Sequence, residues 1–251
     1  QTGLAQELRI VANNIANANT TGFKSGRAAF QDLIYQSVNS AGALTSEEGT
    51  ARPVGTDIGL GVQAAGVIRH NTQGGLVQTE NQLDMAIDGN GYFIVNRPDG
   101  TQAYTRDGNF QLSGEGQLVT LNGYEVEPAI VVPELTRQVE INQNGVVMAY
   151  IENEAEPVEL GQVTLATFLN QAGLKPMGDN LLAATPASGE PVEATPGDPG
   201  VGVTRQGYLE NSNVNIIQQI TDLISAQRAY EMNSKAIETA DQIMTTTNQI
   251  K

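Results

Sequence analysis

The chain has one histidine, His70, between Arg69 and Asn71. General-base chemistry there would need a nucleophile within reach and a partner to orient the ring. No G-x-S-x-G elbow or other nucleophile pattern accompanies it. Glu152, Glu154, Glu156 and Glu159 resemble a carboxylate cluster. In an extended strand, however, alternate residues share a face, which puts the first three side by side along a solvated edge. DGNGYF at 88–93 opens like a calcium loop. It then places Tyr92 where an oxygen ligand belongs and Phe93 where the sharp turn needs glycine, so a tight turn accounts for it better. Gly59, Gly61 and Gly66 miss the G-x-G-x-x-G phosphate cradle by one residue and follow no clear strand. There is no cysteine, which excludes disulfides and thiolate metal sites. The residues predict no enzyme: no catalytic, cofactor-binding or metal site, and no small-molecule substrate.

Composition points the same way. Thirteen Lys and Arg against 28 Asp and Glu give a net charge of −15 over 251 residues. An acidic surface repels phosphate backbones and anionic lipid, so nucleic acid and membrane surfaces are poor partners. No window approaches the roughly 18 apolar residues of a membrane span, and QTGLAQELRI lacks the basic-then-apolar run of a signal peptide. The acid is unevenly placed. Residues 1–35 carry Glu7 and Asp32 against Arg9, Lys24 and Arg27, and residues 213–251 are nearly balanced too, so the negative charge falls on 36–212. All ten prolines lie between Pro53 and Pro199, and the last glycine is Gly207.

The final 44 residues thus hold neither helix breaker, and both ends read as helix. Leu4, Leu8, Val11 and Ile15 stack on one helical face, predicting a helix to about Ala18 that closes toward Gly22. At the other end Ile216, Leu223, Tyr230, Ile237 and Met244 recur every seven residues, with Ile220 between the first two. Such a repeat is the pattern of a helix packed lengthwise on other helices. Ser212 or Asn213 is placed to cap its start. The expected fold is α+β: long N- and C-terminal helices forming a coiled-coil pair around a central antiparallel β domain.

The middle reads as β because Asp88-Gly89, Asp99-Gly100, Asp107-Gly108, Asn122-Gly123 and Asn144-Gly145 punctuate short strand-like runs such as GYFIVN at 91–96. Residues 183–203, rich in Pro, Gly and Ala, predict an extended loop. The predicted organisation is a helical terminal domain from 1–35 and 213–251, an extended connection at 36–70, and a β-rich domain at 71–212.

With that frame in place, ANNIANANTTGFK at 12–24 resembles the N-terminal signature of the axial proteins of the bacterial flagellum, thirteen positions without a gap. GYLENSNVNIIQQITDLISAQRAYEMNSKAI at 207–237 is similar to the C-terminal signature of the same family. FQDLIYQ at 30–36, GALTSEEGTARPVGTDIGLGV at 42–62, LDMAIDGNGYFIVNRPDGTQAYTRDGNFQL at 83–112 and GQLVTLNGYEVEP at 116–128 resemble its distal-rod branch; proximal rod and hook subunits are the alternatives.

The resemblance implies a structural subunit of a straight, rigid tube that transmits torque from motor to hook. Its implied partners are copies of itself, proximal rod proteins, hook protein and surrounding ring proteins. It also implies location in the basal-body rod after export by the flagellar type III pathway without a cleaved signal. The implied assembly residues on the terminal helices are Leu4, Leu8, Val11, Asn13, Asn14, Ile15, Asn17, Ile216, Ile220, Leu223, Tyr230, Ile237 and Met244. The implied rod-stiffening stretch is about 39–62, with Gly42, Pro53, Gly55, Ile58, Gly59, Leu60, Gly61 and Val62 as its marked positions.

Overall fold

The computed structural model describes residues 2–39, 54–152 and 156–249. They fall into two compact units, one drawn from 1–14, 26–68 and 217–251 and the other from Ile15–Ser25 and Arg69–Ile216.

The first unit holds helix α1 (Thr2–Ala16), strands β1 (Gly26–Asp32), β2 (Tyr35–Asn39), β3 (Thr56–Gly59) and β4 (Val62–Arg69), and helix α2 (Ile216–Gln249). β1 pairs with β4, and β2 with β3 in antiparallel register with Tyr35 opposite Gly59. α1 lies over the β1–β4 ribbon: a Cβ on Gly3 would meet Phe30 at 3.2 Å and one on Gly26 would meet Val67 at 3.1 Å and Ile10 at 3.7 Å.

The expected pair of long coiled-coil helices is not what forms. α1 has 15 residues and α2 has 34, about 22 Å against about 51 Å at 1.5 Å per residue. α1 stops because Asn17, Asn19, Thr20, Thr21 and Gly22 favour turns over helix, and two successive turns close there, Thr20 N to Asn17 O and Phe23 N to Thr20 O. The heptad stripe of α2 stays largely in solvent, with Ile237 50% and Met244 64% exposed. The covered face of α2 is instead Gln219, Asp222, Leu223, Ala226 and Ala229. Apart from Leu223 these side chains are small or polar, and beyond Tyr230 every residue described to 246 is exposed. The seven-residue repeat therefore marks a surface left uncovered within the chain.

The second unit is almost entirely antiparallel sheet. Its strands are β5 (Leu76–Gln78), β6 (Met85–Asp88), β7 (Tyr92–Asn96), β8 (Gln102–Thr105), β9 (Phe110–Leu112), β10 (Leu118–Thr120), β11 (Glu125–Glu127), β12 (Thr136–Ile141), β13 (Val146–Ile151), β14 (Val158–Gln162), β15 (Leu165–Thr167), β16 (Lys175–Gly178), β17 (Leu181–Ala183), β18 (Val192–Ala194), β19 (Val203–Gln206) and β20 (Tyr208–Glu210). The main sheet runs β16-β17-β8-β7-β11-β10-β9, and β15 takes the first half of β7, opposite Phe93, while β11 takes the second half, opposite Val95. Both faces of β7 are buried. Phe93 and Val95 join Met85, Phe110 and Val126 on one side, and Tyr92 and Ile94 join Tyr104 and Phe168 on the other. Alternating side chains on a strand covered from both faces give this unbroken apolar run.

Asp99-Gly100, Asn122-Gly123 and Asn144-Gly145 close the β7–β8, β10–β11 and β12–β13 hairpins, with Gly100, Gly123 and Gly145 at φ near +80°. Asp88-Gly89 and Asp107-Gly108 close none. β6 leaves the first of them to pair with the late strand β19, and β8 leaves the second while β9 pairs with β10. The stretch 183–203 is not all loop, since β18 pairs with β15 inside it.

Candidate assembly site

The residues of the N-terminal motif divide between the two units, and each part is held by a specific set of bonds. In the first unit Asn14, 2% exposed, uses its side-chain amide as a clip. Nδ2 donates to Gly26 O and to Gln219 Oε1, both at 2.8 Å, and Oδ1 accepts from Gly26 N at 2.9 Å. One asparagine thereby ties α1 to the start of β1 and to the first turn of α2. Val11 is buried beside it, Leu4 and Leu8 are half-buried and Asn13 is exposed. On α2, Leu223 is half-buried while Ile216, Ile220 and Tyr230 are exposed.

In the stretch implied to stiffen the rod, Gly42 and Pro53 lie outside the described residues. Gly55 is half-buried, and Gly59, against the Tyr35 ring, is exposed. Gly61 turns the chain at φ +110°, and its carbonyl accepts Leu33 N at 2.9 Å. Ile58, Leu60 and Val62 are 54–61% exposed, alongside Ile34 and Tyr35. This ribbon presents a dense apolar surface.

The second unit receives the rest of the motif. Ile15 and Asn17 are half-buried there, and Thr20 Oγ1 donates to Asn17 Oδ1 at 3.2 Å. Gly22, at φ +67°, crosses so close to the backbone between Arg106 and Asp107 that a Cβ would lie 2.8 Å from it. The next-but-one residue, Lys24, is buried, and its Nζ pairs with the Glu210 carboxylate and donates to Thr72 O at 2.9 Å. Glu210 is 1% exposed and also accepts from Arg106 Nη1 at 3.3 Å and Gly74 N at 2.9 Å. Arg106 sits over the Tyr92 ring at 5.3 Å and donates to Gly89 O at 2.6 Å. Burial pulls the Lys24 ammonium below its ordinary pKa against the raising effect of Glu210, and pushes the Tyr92 hydroxyl up.

Asn213, from the S-N-V-N of the C-terminal motif, completes the arrangement. Oδ1 accepts Ser25 N at 2.8 Å, while Nδ2 donates to His70 O at 2.8 Å and to Thr72 O and Oγ1 at 3.0 Å. It does not cap α2, which begins three residues later. His70 contributes its main chain, with its N donating to Ser25 O at 2.9 Å. Sequence reading passed over Lys24, Arg106 and Glu210 as site residues. The available signal was Lys24 itself, the only lysine before Lys175, ending a motif with little other charge.

Asp107, beside Gly22, accepts from Asn180 Nδ2 at 2.8 Å and Asn109 N at 3.1 Å. Burial raises its carboxyl pKa above 3.8 despite those donors and Thr21. A raised native pKa means the native state binds the proton more tightly, so this group's favourable contribution is present at low pH and is lost as pH rises through the native pKa. Asp107→Asn is therefore expected to improve thermal stability relative to wild type at pH 7, with the advantage shrinking as pH falls through the native pKa toward 3.8. A constant difference across that range would count against it.

Among the described residues no three His, Asp or Glu side chains gather to hold a metal, and no helix is long and apolar enough to cross a membrane. The motifs hold segments distant in sequence together, mostly through side-chain bonds to main chain. Three family models match: the flagella basal body rod protein at residues 1–24, the flagellar hook protein FlgE/F/G D1 domain at 86–149, and the flagellar basal body rod FlgEFG protein C-terminal at 205–250. Together they define a flagellar rod and hook subunit.

Similar proteins narrow this further. The chain is 50% identical to the flagellar basal-body rod protein FlgG of Agrobacterium fabrum over 94% of this chain and 90% of that one. It is 47% identical to that of Caulobacter vibrioides (98% and 95%) and 37% identical to that of Bacillus subtilis (95% and 90%). The chain belongs to the family of the flagellar basal-body rod protein FlgG. It is a structural subunit of the basal-body rod, as the terminal motifs implied, assembling there with other flagellar components and catalysing no reaction.

Proposed function

We propose that this subunit polymerises with copies of itself into the straight, stiff distal part of the rod, between proximal rod proteins and the hook and inside the surrounding rings. The observation that carries this reading is the identity to rod relatives over nearly the whole chain. Residues 1–35 and 213–251 serve as the assembly core, where near-zero net charge lets copies pack without repulsion. Residues 71–212, with most of the acid, form the hydrated outer layer. The connection at about 39–62 stiffens the tube by filling the space between neighbours. Ile58, Leu60 and Val62, exposed in the single chain, are its contact residues. Packing such apolar side chains against a neighbour removes area from water at about 25 cal/mol per Å². In the same core, Val11, Asn14, Ile15 and Leu223 hold the ends in shape while Ile216, Ile220, Tyr230, Ile237 and Met244 face other copies.

Electron microscopy of rods from a strain whose only copy lacks residues 43–62 tests the stiffness role. Curved, hook-like rods are expected, and straight ones would sink it.

A further inference from the structure

The Lys24–Glu210–Arg106 cluster joins residues 186 positions apart, and the bonding around it is lopsided. We infer that residues 20–25 are a strap that docks on the β unit only after the segment 205–213 is in place, with Glu210 and Asn213 as its receivers, so that an incomplete chain keeps the strap undocked.

The receiving surface is built without the strap. β19 pairs with β6 and β20 with β5, and Asn211 N donates to Gly75 O at 2.9 Å. Glu210 already has a cation in Arg106 and a donor in Gly74 N, so the buried pair is charge-balanced before Lys24 arrives. Asn213 is held by His70 O and Thr72.

The strap, beyond its bonds to His70 N and Thr72 O, relies on those late residues for three main-chain bonds and for the ion pair of Lys24. Gly22 N donates to Glu210 O at 2.7 Å, Phe23 O accepts from Asn213 N at 3.4 Å, and Ser25 N donates to Asn213 Oδ1. Lys24 finds its only carboxylate on Glu210 among the ion pairs described. Take away 205–213 and three main-chain groups lose their partners while the buried Lys24 ammonium keeps only Thr72 O, which costs more than leaving the strap in water. A chain made from its N-terminus outward reaches Glu210 only near its end. The strap that follows α1 consequently docks last, on a finished β unit. Lys24, Glu210 and Asn213 are positioning residues in this scheme.

Two full-length variants test both halves of the order. Lys24→Glu sets a like charge against Glu210 but leaves the Arg106–Glu210 pair intact. Asn213→Ala removes the acceptor of Ser25 N. In each, backbone amide resonances of Gly22–Ser25 are expected at random-coil positions, with exchange of the Gly22 and Ser25 amides faster by about a hundredfold or more. Those of Phe93–Val95 should keep their dispersed positions. In Lys24→Glu the resonances of Tyr208–Asn211 should keep theirs as well. Docked strap resonances in both variants would overturn the proposal. So would loss of 208–211 together with the strap in Lys24→Glu, or collapse of the whole unit, because strap and receiver would then form a single step.

Discussion

Glu210→Gln is expected to cost the β unit about 3–5 kcal/mol, the range found when one partner of a buried ion pair is removed and the other is left uncompensated. The carboxylate is fully enclosed and is shared by two buried cations, Lys24 and Arg106. A glutamine of nearly equal size keeps the packing, so the loss reports charge and hydrogen bonding. Arg106 has little in reserve, since its Nε already lacks a partner among the described residues. Against a typical total of about 5–15 kcal/mol, the loss would remove a large fraction of the stability.

Urea unfolding followed by the near-ultraviolet signal of buried Tyr92 and Tyr104 measures it. Adding Lys24→Met to Glu210→Gln removes one of the two orphaned charges, so the double variant should be more stable than Glu210→Gln alone. That non-additivity is expected between groups in contact. A loss under about 1 kcal/mol for Glu210→Gln would mean that water reaches the site and the cluster is not buried in solution.

The cluster also explains what the sequence could and could not reveal. The terminal motifs were legible as strings, and three of the five turn dipeptides closed hairpins because a turn's chemistry is local. The partners of Lys24 were not legible: Glu210 lies in a short strand whose pairing with residues 76–78 no periodicity announces. The same holds for the N-terminal helix. Leu4, Leu8, Val11 and Ile15 have the right spacing for a stripe, yet Asn14 between them is the buried residue that fixes both β1 and α2. An asparagine on a helix reads as surface until its two partners are known. For α2 the repeat is real but its reading reverses, because among the described residues there is no second helix long enough to cover it.

Asp107-Gly108 reads as a turn whose glycine supplies positive φ, but the structure gives a different reason for glycine and hence a second large effect. Gly108 has ordinary φ and lies flat against β6: a Cβ would sit 1.5 Å from Met85 O and 3.3 Å from the Phe93 ring. The two main chains are bonded there, Met85 N to Gly108 O at 3.0 Å, and Met85 and Phe93 are fully buried. The clash is with a backbone carbonyl in the core, so no side-chain rotamer can relieve it and β6 itself must shift.

Gly108→Ala is therefore expected to cost more than about 3 kcal/mol, beyond the usual range for an overpacked side chain. Two comparisons isolate the cause. Gly123→Ala, at φ +81° with open space around the new methyl, should lose only the roughly 1 kcal/mol of a left-handed alanine. Gly75→Ala, with open space and no such φ, should change stability by less than about 1 kcal/mol and can gain from a stiffer unfolded chain. Thermal melts of the three proteins should rank Gly75→Ala above Gly123→Ala and both far above Gly108→Ala. A Gly108→Ala protein melting beside Gly123→Ala would show that the contact with Met85 is looser than described.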